Sequence, residues 1–119
     1  MQYLLLCCVD EERWAQLPEA QKGQIMQEYN EFIQSLVKSG HFRASTKLQS
    51  SSMATTVREH HGQRVITDGP FAETKEQLGG YHLVECRDLD EAIAIAGRIP
   101  TLRVGGSIEV RPVVPPSQW

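Results

Sequence analysis

The sequence lacks an excess of positive charge: twelve Lys and Arg stand against fifteen Asp and Glu, for a net charge of −3. Gripping a phosphate backbone takes a basic surface, so nucleic acid is not an expected partner. No apolar run approaches the roughly 20 residues that span a bilayer, and no basic stretch precedes an apolar one near Met1. Neither a membrane segment nor a secretory leader is expected. Cysteine is scarce. Cys7, Cys8 and Cys86 are odd in number, have no CxxC spacing and have no His pair beside them. They read as reduced thiols in a cytoplasmic protein, acting as small core hydrophobes rather than zinc ligands. The glycines form neither GxGxxG nor a P-loop, and there is no GxSxG elbow. No metal and no cofactor are expected. What is present, 40% hydrophobic and 23% charged over 119 residues, is the make-up of one globular domain.

Tyr3 to Val9 is an unbroken apolar run, too short for a typical helix, and reads as a strand buried on both faces. Asp10 to Leu17 reads as a connector carrying Trp14. Pro18 suits the first turn of a helix. Ile25, Met26, Tyr29, Phe32, Ile33, Leu36 and Val37 then recur at three- and four-residue steps as one apolar stripe. Lys38 in the last turn and Gly40 as stop complete that helix. His41 to Leu48 predicts a second strand. Ala54 to His60 and Arg64 to Asp68 predict a β-hairpin turning at Gly62-Gln63, and Leu78 to Cys86 a fifth strand. Asp88 with Glu91 three residues on reads as a capping box. It opens a short helix whose buried face would be Leu89, Ala92, Ile93, Ala96 and Ile99, ended by Pro100. Ser107 to Val113 alternates Ile108 and Val110 with Glu109 and Arg111, as a half-buried strand does.

The order β-α-β-β-β-β-α-β, with a hairpin inserted centrally, predicts a ferredoxin-like α+β fold with both helices on one sheet face. The other face needs a cover. Arg58, Glu109 and Arg111 are charged positions within strands, so that face is not a plain core. A second copy is the simplest cover, which predicts a homodimer enclosing a partly polar cavity.

The segment Asp68-Gly69-Pro70-Phe71-Ala72-Glu73-Thr74-Lys75-Glu76, followed by Leu78-Gly79-Gly80-Tyr81, closely resembles the signature of the DGPF group of YCII-related proteins. Tyr3-Leu4-Leu5-Leu6, Thr55-Thr56-Val57-Arg58, Asp88-Leu89-Asp90-Glu91-Ala92 and Ile108-Glu109-Val110-Arg111-Pro112-Val113 also look like the family's. The resemblance covers nearly the whole chain. It implies the dimeric α/β-barrel arrangement, in which ferredoxin-like sheets pack on each other. It further implies, for the wider group, a His–Asp pair in a pocket and a relative that dehydrochlorinates a hydroxylated chloroaromatic. For DGPF-type proteins it implies an association with extracytoplasmic-function sigma factors. The chain departs from the pair: no His precedes His41, and the first long helix carries Tyr29 and Asn30 instead. Only Asp68 matches.

Asp68 has two readings, a turn residue before Gly-Pro or a carboxylate at a pocket mouth acting as a base. Phe71, Glu73 and Lys75 would form a pocket wall with it, or a solvated loop. His82, mid-strand beside Tyr81, is either a packed histidine or an acid–base group. Arg58 and Arg111 are candidates for holding an anion, or for cross-strand ion pairs with Glu109. His60-His61 is expected at a hairpin tip and His41 at the surface. The catalytic candidates are therefore Asp68 and His82. The ligand-binding candidates are Arg58, Phe71, Glu73, Lys75, Tyr81 and Arg111. Three functions are compatible with them. One is a small cofactor-independent lyase, isomerase or dehydrochlorinase acting on a small acidic or aromatic molecule. The second is a non-catalytic ligand-binding or regulatory dimer. The third is a structural interaction module.

Overall fold

The computed structural model describes all residues, Met1–Trp119. In chain order the elements are β1 (Gln2–Val9), α1 (Glu11–Ala15), α2 (Glu19–Ser39), β2 (Phe42–Lys47), β3 (Thr55–His60), β4 (Gln63–Asp68), β5 (Gln77–Glu85), α3 (Leu89–Ala96) and β6 (Ser107–Pro112). Short 3-10 turns occupy Ser51–Met53, Pro100–Val104 and Pro116–Gln118. Four strands make one antiparallel sheet in the order β2-β5-β1-β6, while β3 and β4 pair only with each other. The chain is thus α+β. Without the β3–β4 insertion it has the split βαβ connectivity of a ferredoxin-like sheet.

Alternation divides the sheet into two faces. Tyr3, Leu5 and Cys7 of β1 and His82 and Val84 of β5 are buried, with Val110 and Ile108 of β6 in register beside β1. On this face lie Phe32 and Leu36 of α2 and Ala92, Ile95 and Ala96 of α3, followed by Ile99. Both helices cover one face, as the pattern predicts. Leu4, Leu6, Cys8, Tyr81 and Leu83 point the other way and are half-buried only by their neighbours in the sheet.

The caps explain the helix ends. Asp10 accepts from Glu12 N and Arg13 N and so starts α1, where the sequence pattern predicts only a connector. Pro18 stands one residue ahead of α2, as its N-cap. Gly40 closes α2 at φ 82°, a left-handed conformation that costs glycine nothing. Asp88 caps α3 by accepting from Glu91 N, but the Glu91 carboxylate turns to Arg87 N rather than to the cap residue. Within α3 the expected face is corrected. Leu89 and Ile93 are 48% and 52% exposed, and Ile95 takes the inward place. Val37 of α2 is likewise exposed.

The hairpin is also corrected in its turn. His61 (φ 50°) and Gly62 (φ 77°) form it, one residue earlier than expected. His61 is therefore in the turn at the hairpin tip, with its ring 4.1 Å from that of His60 at the end of β3. No helix is long and apolar enough to cross a membrane.

Candidate functional site

Between α2 and the β2–β5–β1 side of the sheet is a cavity of about 640 Å³. Glu11, Trp14 and Ala15 of α1 and Leu48 to Ser50 after β2 border its rim. Met26, Tyr29, Asn30 and Ile33 line it from α2, Cys7 and Val9 from β1, and Trp14 from α1. Ser45 and Lys47 of β2 and Gly79, Gly80, Tyr81 and His82 of β5 complete the opposite wall with Thr101. Gly80 has a steric reason to be glycine. A Cβ there would collide with the carbonyl oxygen of Thr46 on the neighbouring strand.

The polar groups of this cavity form a chain. Ser45 Oγ bonds His82 Nδ1, His82 Nε2 lies 3.1 Å from Tyr29 Oη, and Tyr29 Oη lies 3.3 Å from Cys7 Sγ. Counting protons gives it a direction. Cys7 Sγ donates weakly to Leu5 O, which can only accept, at 4.0 Å. Tyr29 then donates to Cys7, His82 Nε2–H to Tyr29, and Ser45 O–H to His82 Nδ1. The assigned tautomer of His82 therefore carries its proton on Nε2. Aromatic contacts fix the imidazole, whose centroid is 5.5 Å from Tyr29 and 5.6 Å from Phe32.

Burial sets the charge state. His82 is 5% exposed, and loss of hydration lowers its pKa to about 4, so it is neutral at neutral pH. Burial, reinforced by Cys7, pushes the Tyr29 hydroxyl far above its usual range. Burial likewise raises Cys7, against the hydrogen bond from Tyr29. The relay is uncharged along its length. Thr101 lies close enough to Tyr29 to favour its ionised form but outside hydrogen-bond geometry. Its buried hydroxyl is left without a partner at 7% exposure. A buried unsatisfied hydroxyl on a cavity wall is a free contact for a polar ligand atom. At the mouth, Glu11 ties α1 to the loop after β2. It accepts from Ser50 Oγ (3.1 Å), Ser51 N (2.9 Å) and Ser51 Oγ (2.9 Å). Burial opposes its ionisation, but the bonds from Ser51 and Ser50 prevail and hold its pKa below the usual carboxylate range.

Of the residues singled out from the sequence, His82 lines this cavity, Tyr81 borders it from a strand position whose side chain alternates to the outer face, and the others do neither. Asp68 ends β4, exposed, at the root of the hairpin. Arg58 lies on the hairpin rather than on the four-stranded sheet, and its guanidinium donates to Phe71 O at 2.7 Å. The expected face shared by Arg58, Glu109 and Arg111 is therefore split. Glu109 and Arg111 pair with each other on the outer face of β6, and Arg58 is elsewhere. Phe71 is 78% exposed, and Glu73 and Lys75 are exposed beside it. His41 is half-buried, bonded to Ser39 Oγ and Glu91 Oε1. Tyr29, Ser45 and Thr101 were not singled out as site residues. Tyr29 reads as one more member of the α2 stripe, and only the absence of a helix histidine drew attention to it. Nothing in the sequence marks Ser45 or Thr101. No group of three or more His, Cys, Asp and Glu gathers at metal-binding distances.

Comparison with known proteins accords with this architecture. A solved structure of 5-chloro-2-hydroxyhydroquinone dehydrochlorinase from Burkholderia phenoliruptrix AC1100, in complex with 2,5-dihydroxybenzoquinone, superposes with a TM-score of 0.51. It covers 96% of this chain and 94% of that one at 13% identity, a likeness of fold. An uncharacterised protein of Rhizobium meliloti (strain 1021) is 34% identical over 114 residues, which is 95% of this chain and 92% of the relative. The YCII-related domain model matches residues 1–117. The chain belongs to the YCII-related domain family.

Proposed function

We propose that the protein is a small cofactor-independent enzyme that moves a proton on a flat, hydroxylated, weakly acidic ring held between α2 and the sheet. The observation that carries this reading is the buried neutral His82, bonded at both nitrogens on the cavity wall. A base with a pKa near 4 takes a proton efficiently only from an acid of comparable strength. An ordinary alcohol is far too weak. An enol or a ring hydroxyl acidified by neighbouring carbonyl or halogen groups is matched. The walls suit such a ring: Trp14, Met26 and Ile33 supply apolar surface, and Lys47 and Thr101 supply donors for its oxygens. The dehydrochlorinase of like fold is named for a compound of that class.

In this reading the ligand hydroxyl gives its proton to Ser45 Oγ as Ser45 passes its own to His82 Nδ1. The imidazolium then donates from Nε2 to Tyr29. Return of the proton to a ring carbon completes an isomerisation. Return of the proton to the ring carbon that bears a leaving group, followed by loss of a second hydroxyl proton to water as that group departs with its bonding electrons, completes an elimination. A homodimer formed sheet to sheet belongs to the same reading, since it covers the outer face without blocking the cavity. A binding protein without turnover is the second reading. What favours it is that Cys7 and Tyr29 stay protonated, so neither supplies an ionised nucleophile within the cavity.

Absorbance titration with 2,5-dihydroxybenzoquinone tests the site. Saturable binding that weakens at least tenfold in Ser45→Ala and in His82→Gln supports it. Unchanged affinity in both folded variants removes His82 from the ligand's path. Change in the spectra of hydroxylated chloroaromatics on incubation then separates enzyme from binder.

A further inference from the structure

β3 and β4 hydrogen-bond only to each other, and every residue of the two strands except Thr56 is exposed. On one face of this ribbon Val57 stands opposite Ile66, 62% and 63% exposed. A lone two-stranded ribbon is marginal in water, because it has no second layer to hide its apolar side chains. This one is nonetheless well made. Its turn has positive φ at both His61 and Gly62, the geometry that follows the twist of the strands. At its root Gly69 N donates to Ala54 O and Thr56 Oγ1 to Gly69 O, both at 2.7 Å. Gly69 has φ 104°, open to glycine alone without strain. With the Arg58 bond to Phe71 O, these contacts pin the backbone of the motif loop while Phe71 faces solvent. A loop held rigid around an outward aromatic is made for contact with another surface.

The same chain has a second uncovered apolar surface, the outer sheet face with Leu4, Leu6 and Leu83. Four strands spaced by ~4.8 Å and ~20 Å long give a flat footprint of roughly 400 Å², and the ribbon adds about 200 Å². A stable interface takes about 800 Å² of accessible surface from each partner. The sheet face alone falls short. The two together give a flat footprint of about 600 Å², to which the relief of the side chains adds, and so come within reach of it. Neither surface carries net charge that would select a strongly acidic or basic partner: Glu59 pairs in register with Arg64 on the ribbon, and Glu109 with Arg111 on the sheet.

We infer that the β3–β4 hairpin and Phe71 form an arm that lies against a second copy of this chain, extending the sheet-to-sheet contact of the proposed homodimer, on which this inference rests. The Asp68-to-Glu76 signature is then the pinned root of an interface clasp. The arm also joins the cavity mouth, because Ser50 and Ser51, held by Glu11, lead directly into β3.

Sedimentation equilibrium of the full chain between about 1 and 100 μM tests this with the wild type and the double variant Val57→Asp/Ile66→Asp. The expected result is a wild-type dimer whose dissociation constant rises at least thirtyfold in the variant, with the same far-ultraviolet dichroism. Amide exchange gives the second readout: residues 55–68 should be protected in the wild-type dimer and lose that protection on dilution to monomer. A monomeric wild type overturns the arm and the homodimer together and points to a foreign partner. A dimer with undiminished affinity in the variant, or with unprotected arm amides, overturns the arm alone. Titration of the same samples with 2,5-dihydroxybenzoquinone keeps the cavity separate: a monomeric variant that still binds leaves that reading intact.

Discussion

The two halves of this molecule deal with apolar surface in opposite ways. In the body, α2 and α3 close over one sheet face, and the side chains left inside, Thr101 apart, are apolar or hydrogen-bonded in a chain. In the arm, β3 and β4 satisfy their facing backbone groups but leave Val57, Val65 and Ile66 in water. The difference teaches that backbone pairing and burial are separate requirements. A hairpin meets the first by itself, whereas the second takes another layer. The body finds that layer within the chain, and the arm does not.

The contrast is sharpest in stability. Leu5→Ala empties a fully buried site between the sheet and the helices and should cost about 2–5 kcal/mol in chemical denaturation. Ile66→Ala, measured where the chain is monomeric, should change it by less than about 0.5 kcal/mol. Equal costs would mean that the arm packs on its own body.

Acid should act on the body through His82. Its pKa is about 4 in the folded chain against 6.5 when free, so the unfolded chain binds more protons between those values. Stability from this group is complete above pH 6.5 and falls as the pH drops toward 4, by up to about 3 kcal/mol. Glu11 also loses stabilising bonds on acidification, so the comparison that isolates the histidine is wild type against His82→Gln. The variant should show the shallower loss over pH 6.5 to 4, and parallel curves would mean the imidazole is not desolvated.

Smaller effects belong to the cavity wall. Thr101→Val removes a buried hydroxyl that has no partner and should raise stability by about 1 kcal/mol while weakening ligand binding. A loss of stability instead would show that the hydroxyl is satisfied. Glu11→Gln should cost less than about 1 kcal/mol, because the Glu11 clasp sits at the exposed rim. Its readout is kinetic: faster amide exchange at Ser51, and faster ligand entry and exit at nearly constant affinity. Unaltered rates would mean that the cavity opens elsewhere.

Much of the body was legible from pattern. The α2 stripe, its Gly40 stop, the alternation in β6 and the Asp88 cap are local features, readable within a few residues. α1 was not, because five residues carry no periodicity to detect. The inward face of α3 was not either. Ala92, Ile93, Ile95 and Ala96 offer apolar choices all round a short helix, and the position of the sheet selects among them.

The site was the least legible part. His82 stood out by residue type, but its bonds reach Ser45 at a separation of 37 residues and Tyr29 at 53. The Asp68-to-Glu76 segment was the conspicuous motif, yet it lies on the arm and its root, away from the cavity, and only Gly79-Gly80-Tyr81 after it borders the cavity. By itself the sequence determined the order of the six strands and of α2 and α3, the family and the burial of one sheet face, because helix caps, glycine turns and the periods of strand and helix are short-range physics. Only the tertiary structure decided that Tyr29, Ser45, Cys7 and Thr101 share a wall with His82, and that Val57 and Ile66 share none. Desolvation and unmet packing depend on what lies across space from a side chain, and neighbours in the chain do not specify that.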